Sequence, residues 1–408
     1  MEHLLSGYTV LDFTHFLAGP SCSRLFAELG ADILKVEAAP AGDAARVLPF
    51  VKNGRSGYFV QQNRGKKSIC LDLRDPRGLE AIKNLLPKVD VVLENFSAGT
   101  IGRLGLGWDV IHEINPRAVM CSITTFGQTG PLAKMVGYDP IAQAFAGITE
   151  LIGEKGGPPA YPMFSLGDTL TGAHAFGAIN AALLYRERSG KGQYLDISLL
   201  DCYFHHHDIT TQVVSLSEGA MIPTRNGRHH FALAPTGIFR GRERFMFIVA
   251  LEHQWGQFCK VIGREDLVED PRFSDNGKRV ENVDALVEIV EAWIQNMESD
   301  EAAMETLMEG RIPVGPILTV KEAMEHPHHV ARGTIRTISD RALPDFQVPG
   351  NPLRFSDFPE ALELDAPFLG EHNREVFSDY LGYSDSEIAA LERDGVLQRE
   401  PLPGEASA

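Results

Sequence analysis

Runs of apolar residues separated by polar turns divide the first half of the chain into alternating strands and helices. Residues 8–13 and 31–36 are apolar runs that predict strands. Between them, residues 20–29 begin on Pro20 and end before Gly30, which favours a helix, because proline is tolerated in a first turn and glycine commonly ends a helix. This order of elements predicts a βαβ unit and therefore a parallel sheet.

The same alternation continues through the next part of the chain. Strands are predicted over residues 89–93, 118–123 and 193–198, and a helix over 109–114. We therefore expect a large α/β domain over residues 1–200, doubly wound, mostly parallel and Rossmann-like.

A change of pattern after the polar residues 215–219 indicates a second domain. Residues 237–251 predict a hairpin. Helical periodicity follows in three segments, residues 254–262, 283–296 and 300–309. We expect a linker at 201–226, a smaller α+β domain at 227–325, and a further linker and return segment at 326–408.

One long helical pattern follows Asp168 and ends at Gly190, after two arginines in its last turn. Apolar and small residues recur in it at three- and four-residue spacing, which predicts an amphipathic helix packed on a core. The residues at this spacing are Leu170, Ala173, Phe176, Gly177, Asn180, Ala181 and Leu184. Asp168 is therefore expected at or just before the N-cap.

The position of Asp168 allows two interpretations. Aspartate is a preferred N-cap, so this residue can be no more than the cap of its helix. Alternatively, a carboxylate kept ionised by the helix amides can act as a nucleophile in covalent catalysis. The spacing alone leaves both roles open.

Composition narrows the function classes. The 408 residues carry a net charge of −17, which argues against a nucleic-acid or membrane-surface role, because both depend on a basic field. The five cysteines are scattered and odd in number, which fits neither a disulfide framework nor a zinc site. No secretory signal and no apolar run of membrane-spanning length is present, so a cytoplasmic location is expected.

Two local motifs argue against other chemistries. The turn at residues 15–19 follows the first strand, where open α/β sheets bind ligands, but it lacks the GxGxxG pattern of a nicotinamide-dependent oxidoreductase. The histidines at 205–207 are consecutive and point in different directions on a helix, so no metal site is expected.

Residues 63–67, followed by Arg74 and Arg103, form the densest basic stretch in this acidic chain. Such a stretch can be a solvated turn. It can also bind phosphate groups, which favour guanidinium and ammonium partners.

Seven ordered landmarks give the chain a specific resemblance to a known family. They are LDFTHFLAGP at 11–20, ELGAD with KVE at 28–37, NRGKKS at 63–68, ENF at 94–96, GYDP at 137–140, GD at 167–168 and LGEH at 369–372. From about Leu5 to about Leu391 the sequence resembles the family III CoA-transferases, which include formyl-CoA transferase and the α-methylacyl-CoA racemases.

The resemblance implies roles for particular residues. Asp168 matches the nucleophile of the family. Matches to CoA-binding positions are His15, Phe16, Ala18, Leu71, Arg74, Asn95, Phe96 and Arg103. Matches to acid-binding positions are Leu17, Tyr138 and Asp139, and Arg46 is a further candidate for binding a second carboxylate.

The resemblance also implies an activity and an assembly. CoA would move between an acyl-CoA, of succinyl-CoA type, and a carboxylic or dicarboxylic acid through aspartyl intermediates, with acyl-CoA as substrate and no tightly bound cofactor. Racemases have histidine where this chain has Tyr138, a poor base because a free phenol has a pKa of about 10, so the transferase branch is favoured. Intramolecular CoA migration, racemisation and acyl-CoA binding without turnover are alternatives. Family members form interlocked dimers, so a homodimer or a heterodimer with a close paralogue is expected.

Some positions depart from formyl-CoA transferase. Ala38 replaces an arginine, which puts the details of adenosine binding in question. Leu17 stands where that enzyme has a glutamine, and Val47 and Leu48 stand near the position of its tryptophan. Its glycine-rich flap is also absent here. These changes argue against oxalate and favour a larger, partly apolar acyl group.

Overall fold

The computed structural model describes residues 3–405, which form two compact units. The first unit combines residues 3–146, 163–207 and 330–405. The second unit combines residues 147–162 and 208–329.

The N-terminal part of the first unit alternates strands and helices. In chain order its elements are β1 (Thr9–Asp12), α1 (Ala18–Glu28), β2 (Asp32–Ala38), β3 (Val51–Lys52), β4 (Arg55–Ser56), α2 (Gly57–Asn63), β5 (Lys66–Leu71), α3 (Pro76–Leu85), β6 (Val91–Glu94), α4 (Thr100–Arg103), α5 (Trp108–Ile114), β7 (Val119–Thr124), α6 (Asp139–Phe145), α7 (Leu166–Ser189), β8 (Tyr194–Ser198) and α8 (Leu199–His205).

Six of these strands form the central sheet. Their order is β5-β2-β1-β6-β7-β8, and every neighbouring pair is parallel. Counted along the chain within this sheet, the order is 3-2-1-4-5-6, which is the doubly wound Rossmann arrangement. The expected α/β fold is therefore confirmed. The direction of winding reverses between β1 and β6, and ligands of such sheets bind outside the carboxyl ends of the strands at this point.

Helix α7 buries a different face from the one that periodicity predicts. Its buried residues are Gly167, Thr171, Gly172, Ala175, Ile179, Ala182, Leu183 and Arg186. Four residues of the predicted apolar face, Ala173, Gly177, Ala181 and Leu184, are exposed. The prediction of the buried face was wrong because α7 carries apolar and small residues all round, so periodicity cannot select one side.

The second unit has its own sheet and core. Its elements in chain order are α9 (Thr210–Leu216), β9 (Thr236–Arg240), β10 (Phe245–Val249), α10 (Trp255–Val261), α11 (Asn276–Glu281), α12 (Val283–Asn296), α13 (Asp300–Glu309), β11 (Val314–Pro316), α14 (Val320–Glu325) and α15 (Pro327–Ala331), whose last residues cross into the first unit. The predicted hairpin is present as antiparallel β9 and β10, and β11 pairs antiparallel to β10.

Residues 147–162 belong to the second unit, although the sequence pattern assigned them to the first domain. Their contacts explain the difference. Gly227 N–H donates to the carbonyl of Gly153, and the Arg225 guanidinium donates to the carbonyls of Glu150 and Gly157. All three contacts are hydrogen bonds to backbone carbonyls, which hydrophobic periodicity does not reveal.

The remaining elements lie in the return segment of the first unit. They are β12 (Ile335–Ile338), β13 (Phe346–Pro349), α16 (Asn373–Glu375) and α17 (Asp385–Arg393). The segment packs on the edge strand β5, where Asn373 accepts the Cys70 N–H at 2.9 Å and Leu397 bridges Leu71. The last strand of the parallel sheet on this side is therefore covered.

Candidate active site

Two loops meet at the point where the sheet reverses direction. His15 lies in the loop after β1, and Asn95 is the first residue after β6. His15 N–H donates to Asn95 Oδ1 at 2.9 Å, and Asn95 Nδ2 donates to the His15 carbonyl at 2.9 Å. This reciprocal pair holds both loops at the carboxyl end of the sheet.

A cavity of about 340 Å³ opens beside these loops. Asp168 is half-buried and its side chain belongs to the cavity wall. Seven other predicted site residues also line it: His15, Phe16, Leu17, Ala18, Asn95, Phe96 and Tyr138. The structure thus brings the nucleophile candidate to the same cavity as most of the expected CoA-binding residues.

Asp168 lies inside the first turn of α7, as its third residue, and Ser165 is the N-cap. The expectation that Asp168 sits at or just before the N-cap was wrong. Asp139 contacts this turn, because its Oδ2 accepts the Asp168 N–H at 2.8 Å. The Asp168 amide therefore donates to Asp139 and does not stabilise the Asp168 carboxylate.

Tyr203 completes the contacts of this turn. Its hydroxyl accepts the Gly167 N–H at 2.9 Å and donates to Asp139 Oδ1 at 2.9 Å. Asp139 and Tyr203 are both buried. A side chain at Gly167 would collide with the Tyr203 ring, because an ideal Cβ there lies 2.1 Å from Tyr203 Cε2. The close approach of Tyr203 therefore requires glycine at position 167, directly before Asp168.

The helix amides do not stabilise a charge on Asp168, contrary to the interpretation drawn from the sequence pattern. Burial raises the pKa of Asp168 to about 7, and the neighbouring negative charge of Asp139 adds to this rise. The interpretation of a carboxylate kept ionised by helix amides is therefore wrong, since the amides of Gly167 and Asp168 already have other acceptors. A carboxylate with so little stabilisation is a better nucleophile once it is ionised.

Three predicted CoA-binding residues lie outside the described wall of this cavity. Leu71 is fully buried in β5. Arg74 is exposed and forms an ion pair with Asp72 at 2.8 Å. Arg103 is exposed and donates to Thr100 Oγ1 at 2.7 Å. Their matches to CoA-binding positions stay predictions.

Arg46 is occupied by an internal ion pair. Its Nε and Nη2 donate to the two carboxylate oxygens of Glu37 at 2.8 and 2.6 Å, and its guanidinium lies 3.8 Å from the centre of the Phe59 ring. The expectation that Arg46 binds a second carboxylate of the substrate is not supported, because Nε and Nη2, the pair that would bind it, are already engaged by Glu37.

The basic stretch at residues 63–67 is mostly structural. Lys66 is buried, and its Nζ donates to Asp12 Oδ2 at 3.1 Å and to Ser23 Oγ at 2.7 Å. Arg64 is buried against Glu28. The two alternatives, a solvated turn and a phosphate site, both fail for these side chains, because buried cations are retained only with such partners.

Two tyrosines near Asp168 were not found from sequence. Tyr203 follows β8 in a helix, and Tyr58 lies in α2. Burial, with the negative charges of Asp168 and Asp43, raises the pKa of the Tyr58 hydroxyl. No short motif marks either residue, because each reaches the site through the tertiary packing of its helix.

The histidine cluster at the end of α8 has structural partners. His206 Nδ1 lies 2.7 Å from the carbonyl of Cys202, and the rings of His205 and His206 pack edge-on against His174. Among residues 3–405, no group of three or more possible ligands is arranged to hold a metal ion. In the same range, no helix has both the length and the apolar character needed to cross a bilayer.

The fold and the cavity together define an α/β protein with a ligand site at the switch point of a doubly wound sheet and a carboxylate in that site. The sequence model described as CoA-transferase family III matches residues 5–373. The chain belongs to this family and is a CoA-transferase.

Named relatives cover nearly the whole chain. A mouse (Mus musculus) protein named succinyl-CoA:glutarate CoA-transferase is 34% identical over 97% of this chain and 90% of its own length. A Chloroflexus aurantiacus protein named succinyl-CoA–D-citramalate CoA-transferase is 34% identical over 96% of this chain and 98% of its own. A crystal structure of a CAIB/BAIF family protein from Brucella suis has a TM-score of 0.80 and 33% identity, and covers 93% of this chain and all of that one.

Proposed function

We propose that the protein moves CoA from a succinyl-CoA-type donor to a free carboxylic or dicarboxylic acid, with Asp168 as the covalent nucleophile. The observation that carries this proposal is the half-buried Asp168 in the wall of the 340 Å³ cavity, which His15 and Asn95 also line. The names of the mouse and Chloroflexus relatives support the donor.

The proposed cycle has four acyl transfers. An Asp168 oxygen attacks the donor thioester carbonyl, and CoA leaves as a thiolate to give a mixed anhydride. The thiolate attacks the aspartyl carbonyl, which releases the donor acid and leaves an aspartyl-CoA thioester. The acceptor carboxylate attacks that thioester and again releases thiolate. The thiolate then attacks the acceptor carbonyl, which releases the new acyl-CoA and restores Asp168. One thioester replaces another, so no ATP is consumed.

Each transfer passes through an oxyanion that needs hydrogen-bond donors. The amides of Gly167 and Asp168 are engaged by Tyr203 and Asp139. The hydrogen-bond donors to the oxyanion are therefore other groups of the cavity wall, unless the Gly167 and Asp168 amides leave Tyr203 and Asp139 when substrate binds.

The acceptor class follows from what the cavity presents. Leu17, Met135 and Val136 contribute apolar side chains to its wall, which also contains polar residues. Arg225 binds Glu150 and backbone carbonyls. We propose an acceptor larger than oxalate whose chain contacts these apolar side chains.

Thioester exchange tests this proposal directly. The protein is incubated with succinyl-CoA and single acids of increasing chain length, and products are read by mass spectrometry. We expect a new acyl-CoA with glutarate-sized or larger acids and little with oxalate. Loss of α-proton label from a branched acyl-CoA, with no exchange for any acid, would contradict transfer and favour racemisation.

The pH profile should follow the ionisation of Asp168. Because the ionised form attacks and the pKa of Asp168 is raised to about 7, kcat/KM is expected to fall about tenfold per pH unit below about 7 and to level off above it. Asp139→Asn removes a nearby negative charge, so its acid limb is expected to move to lower pH. A wild-type rate that is constant from about pH 5 to about pH 8 would contradict this assignment.

We further propose that the protein is an interlocked dimer, formed by two copies of this chain or by this chain and a close paralogue. The outer face of α7 supports this. Ala173, Gly177, Ala181, Leu184 and Tyr185 are exposed there, which is unusual for a helix at a solvated surface. Small residues in such a face allow a second helix to approach closely.

Leu184→Glu tests the dimer. Leu184 is 61% exposed, so in a monomer the change would be nearly neutral, whereas in a dimer it places a charge in the interface. We expect light scattering to give twice the 44.8 kDa chain mass for a wild-type homodimer and a single chain mass for the variant. Val320→Glu, at a residue 79% exposed on α14, is the control and should leave the mass unchanged.

All five cysteines are buried and free. Burial raises the pKa of the Cys22 and Cys121 thiols, which keeps them protonated and unreactive. We propose a cytoplasmic location, where free thiols are the usual state.

A further inference from the structure

Phe16 has an unusual backbone conformation in the cavity wall. Its φ is +62°, in the left-handed region that residues with a Cβ rarely adopt. Its ring packs edge-on against His15 and Tyr138, with ring centroids 5.1 and 6.3 Å apart. Because this conformation costs free energy, surrounding contacts must hold it.

Asp43, from the loop after β2, makes that contact. Its Oδ1 accepts the Phe16 N–H at 3.1 Å and the Ala45 N–H at 2.9 Å. Its Oδ2 accepts Lys35 Nζ at 3.0 Å, and Lys35 also donates to the Thr14 carbonyl at 2.6 Å. One buried carboxylate thus binds the loop after β1 at Phe16 directly and at Thr14 through Lys35.

The backbone of Asp43 is held by a second carboxylate, that of Glu37. The Asp43 N–H donates to Glu37 Oε2 at 3.0 Å, and Arg46 donates to Glu37 in turn. Burial opposes the charge of Asp43, but the charge of Lys35 and the hydrogen bonds from Lys35, Ala45 and Phe16 together outweigh it, and the pKa of Asp43 is lowered. An ionised acceptor makes the bond to Phe16 charge-assisted, and therefore stronger than a neutral one.

We propose that Asp43 is a positioning residue for CoA binding: its carboxylate holds Phe16 in the left-handed conformation and so sets the cavity wall formed by the loop after β1. This inference rests on the proposed role of the cavity in binding acyl-CoA. It also gives a purpose to the Arg46–Glu37 pair, which supports Asp43 and leaves substrate recognition to other groups.

A double-mutant cycle tests the proposal, with the dissociation constant of coenzyme A from calorimetry as the measurement. Asp43→Ala is expected to weaken CoA binding about tenfold or more. In a Phe16→Gly background the same change is expected to cost less than about threefold, because glycine adopts the left-handed conformation without a steric penalty. An equal factor in both backgrounds, or unchanged affinity in Asp43→Ala, would overturn the proposal.

Kinetics separate positioning from a general loss of structure. In Asp43→Ala we expect KM for succinyl-CoA to rise by a similar factor while kcat changes less than about threefold, because Asp168 is held by α7 and Asp139. A variant that loses thermal stability but keeps both its KM and its CoA affinity would contradict the proposal. If Asp43→Ala does not fold, Asp43→Asn is measured in its place. We expect Asp43→Asn to weaken CoA binding by a smaller factor, and this factor should again be smaller in the Phe16→Gly background.

Asp75→Ala is the matched control. Asp75 also accepts a backbone amide, that of Arg77 at 2.9 Å, but it is half-buried and caps α3. Its replacement should leave CoA affinity unchanged. A wild-type protein that does not bind CoA would contradict the proposed function itself, whereas equal affinities of wild type and Asp43→Ala contradict only the role of Asp43.

Discussion

Asp168→Ala is expected to lower the rate of CoA transfer at least about a thousandfold, because removal of a covalent nucleophile leaves only the binding contributions of the site. The fold should survive. Asp168 is half-buried, and no described hydrogen bond is accepted by its carboxylate. Steady-state exchange between succinyl-CoA and an acceptor acid, with a thermal melt of each protein, measures both effects.

Asp201→Ala is the control for this change. Asp201 is the third residue of α8, as Asp168 is the third residue of α7, and it is exposed. If an acidic residue in a first helical turn mattered only for the helix dipole, both variants would lose similar, small amounts of stability and keep activity. If Asp168→Ala still transfers CoA at the wild-type rate, Asp168 is not the nucleophile and contributes only a charge near the helix N-terminus.

Gly167→Ala is expected to be the second most damaging change. The new Cβ would lie 2.1 Å from Tyr203 Cε2 and 2.8 Å from Asp139 Oδ2, and the Tyr203 ring is buried and cannot move without disturbing its neighbours. The first turn of α7 must shift, which displaces the Asp168 carboxylate. Because misplacement by about 1 Å can cost about a hundredfold in rate, we expect kcat to fall by at least that factor, with a lower melting temperature.

Gly256→Ala provides the comparison. Gly256 is the second residue of α10, as Gly167 is of α7, but a Cβ there meets nothing within 4 Å. In an open helical position alanine is favoured over glycine, so this variant should be as stable as wild type or slightly more so and fully active. If both glycine variants behave alike, the packing of Tyr203 against Gly167 is not what fixes the turn.

Sequence alone predicts the parts of the fold that depend on local pattern. The strand at 8–13 and the helix stop at Gly190 are present, the latter with φ +74°. Capping boxes form at Thr319 with Glu322 and at Ser384 with Glu387, where the sequence has Ser or Thr three residues before Glu. These features depend on residues within a few positions of one another, so a single sequence contains all the information they need.

The errors involve residues whose partners are distant in sequence. Arg64 and Lys66 form a basic stretch in the sequence, but Glu28 and Asp12 bind them in the interior. The buried face of α7 is set by what packs on it, as at Gly172, where a Cβ would lie 2.0 Å from Ser21 Oγ of α1. No periodicity encodes such contacts.

The candidate site shows the same division. Its location at the end of β1 follows from the strand pattern, and family resemblance supplies Asp168. Neither the strand pattern nor the resemblance predicts the pKa of Asp168. That pKa depends on Tyr203 and Asp139, which accept the Gly167 and Asp168 amides that the helix pattern had suggested would stabilise the Asp168 carboxylate. The raised pKa of Asp168 is therefore a result of the structure.

The intact mass of the protein after brief mixing with succinyl-CoA tests the central claim most directly. We predict a species heavier by CoA less one water, and peptide mapping that places the thioester on Asp168. Asp168→Ala should show none. A CoA adduct on another residue, or one that forms equally in Asp168→Ala, would contradict the account.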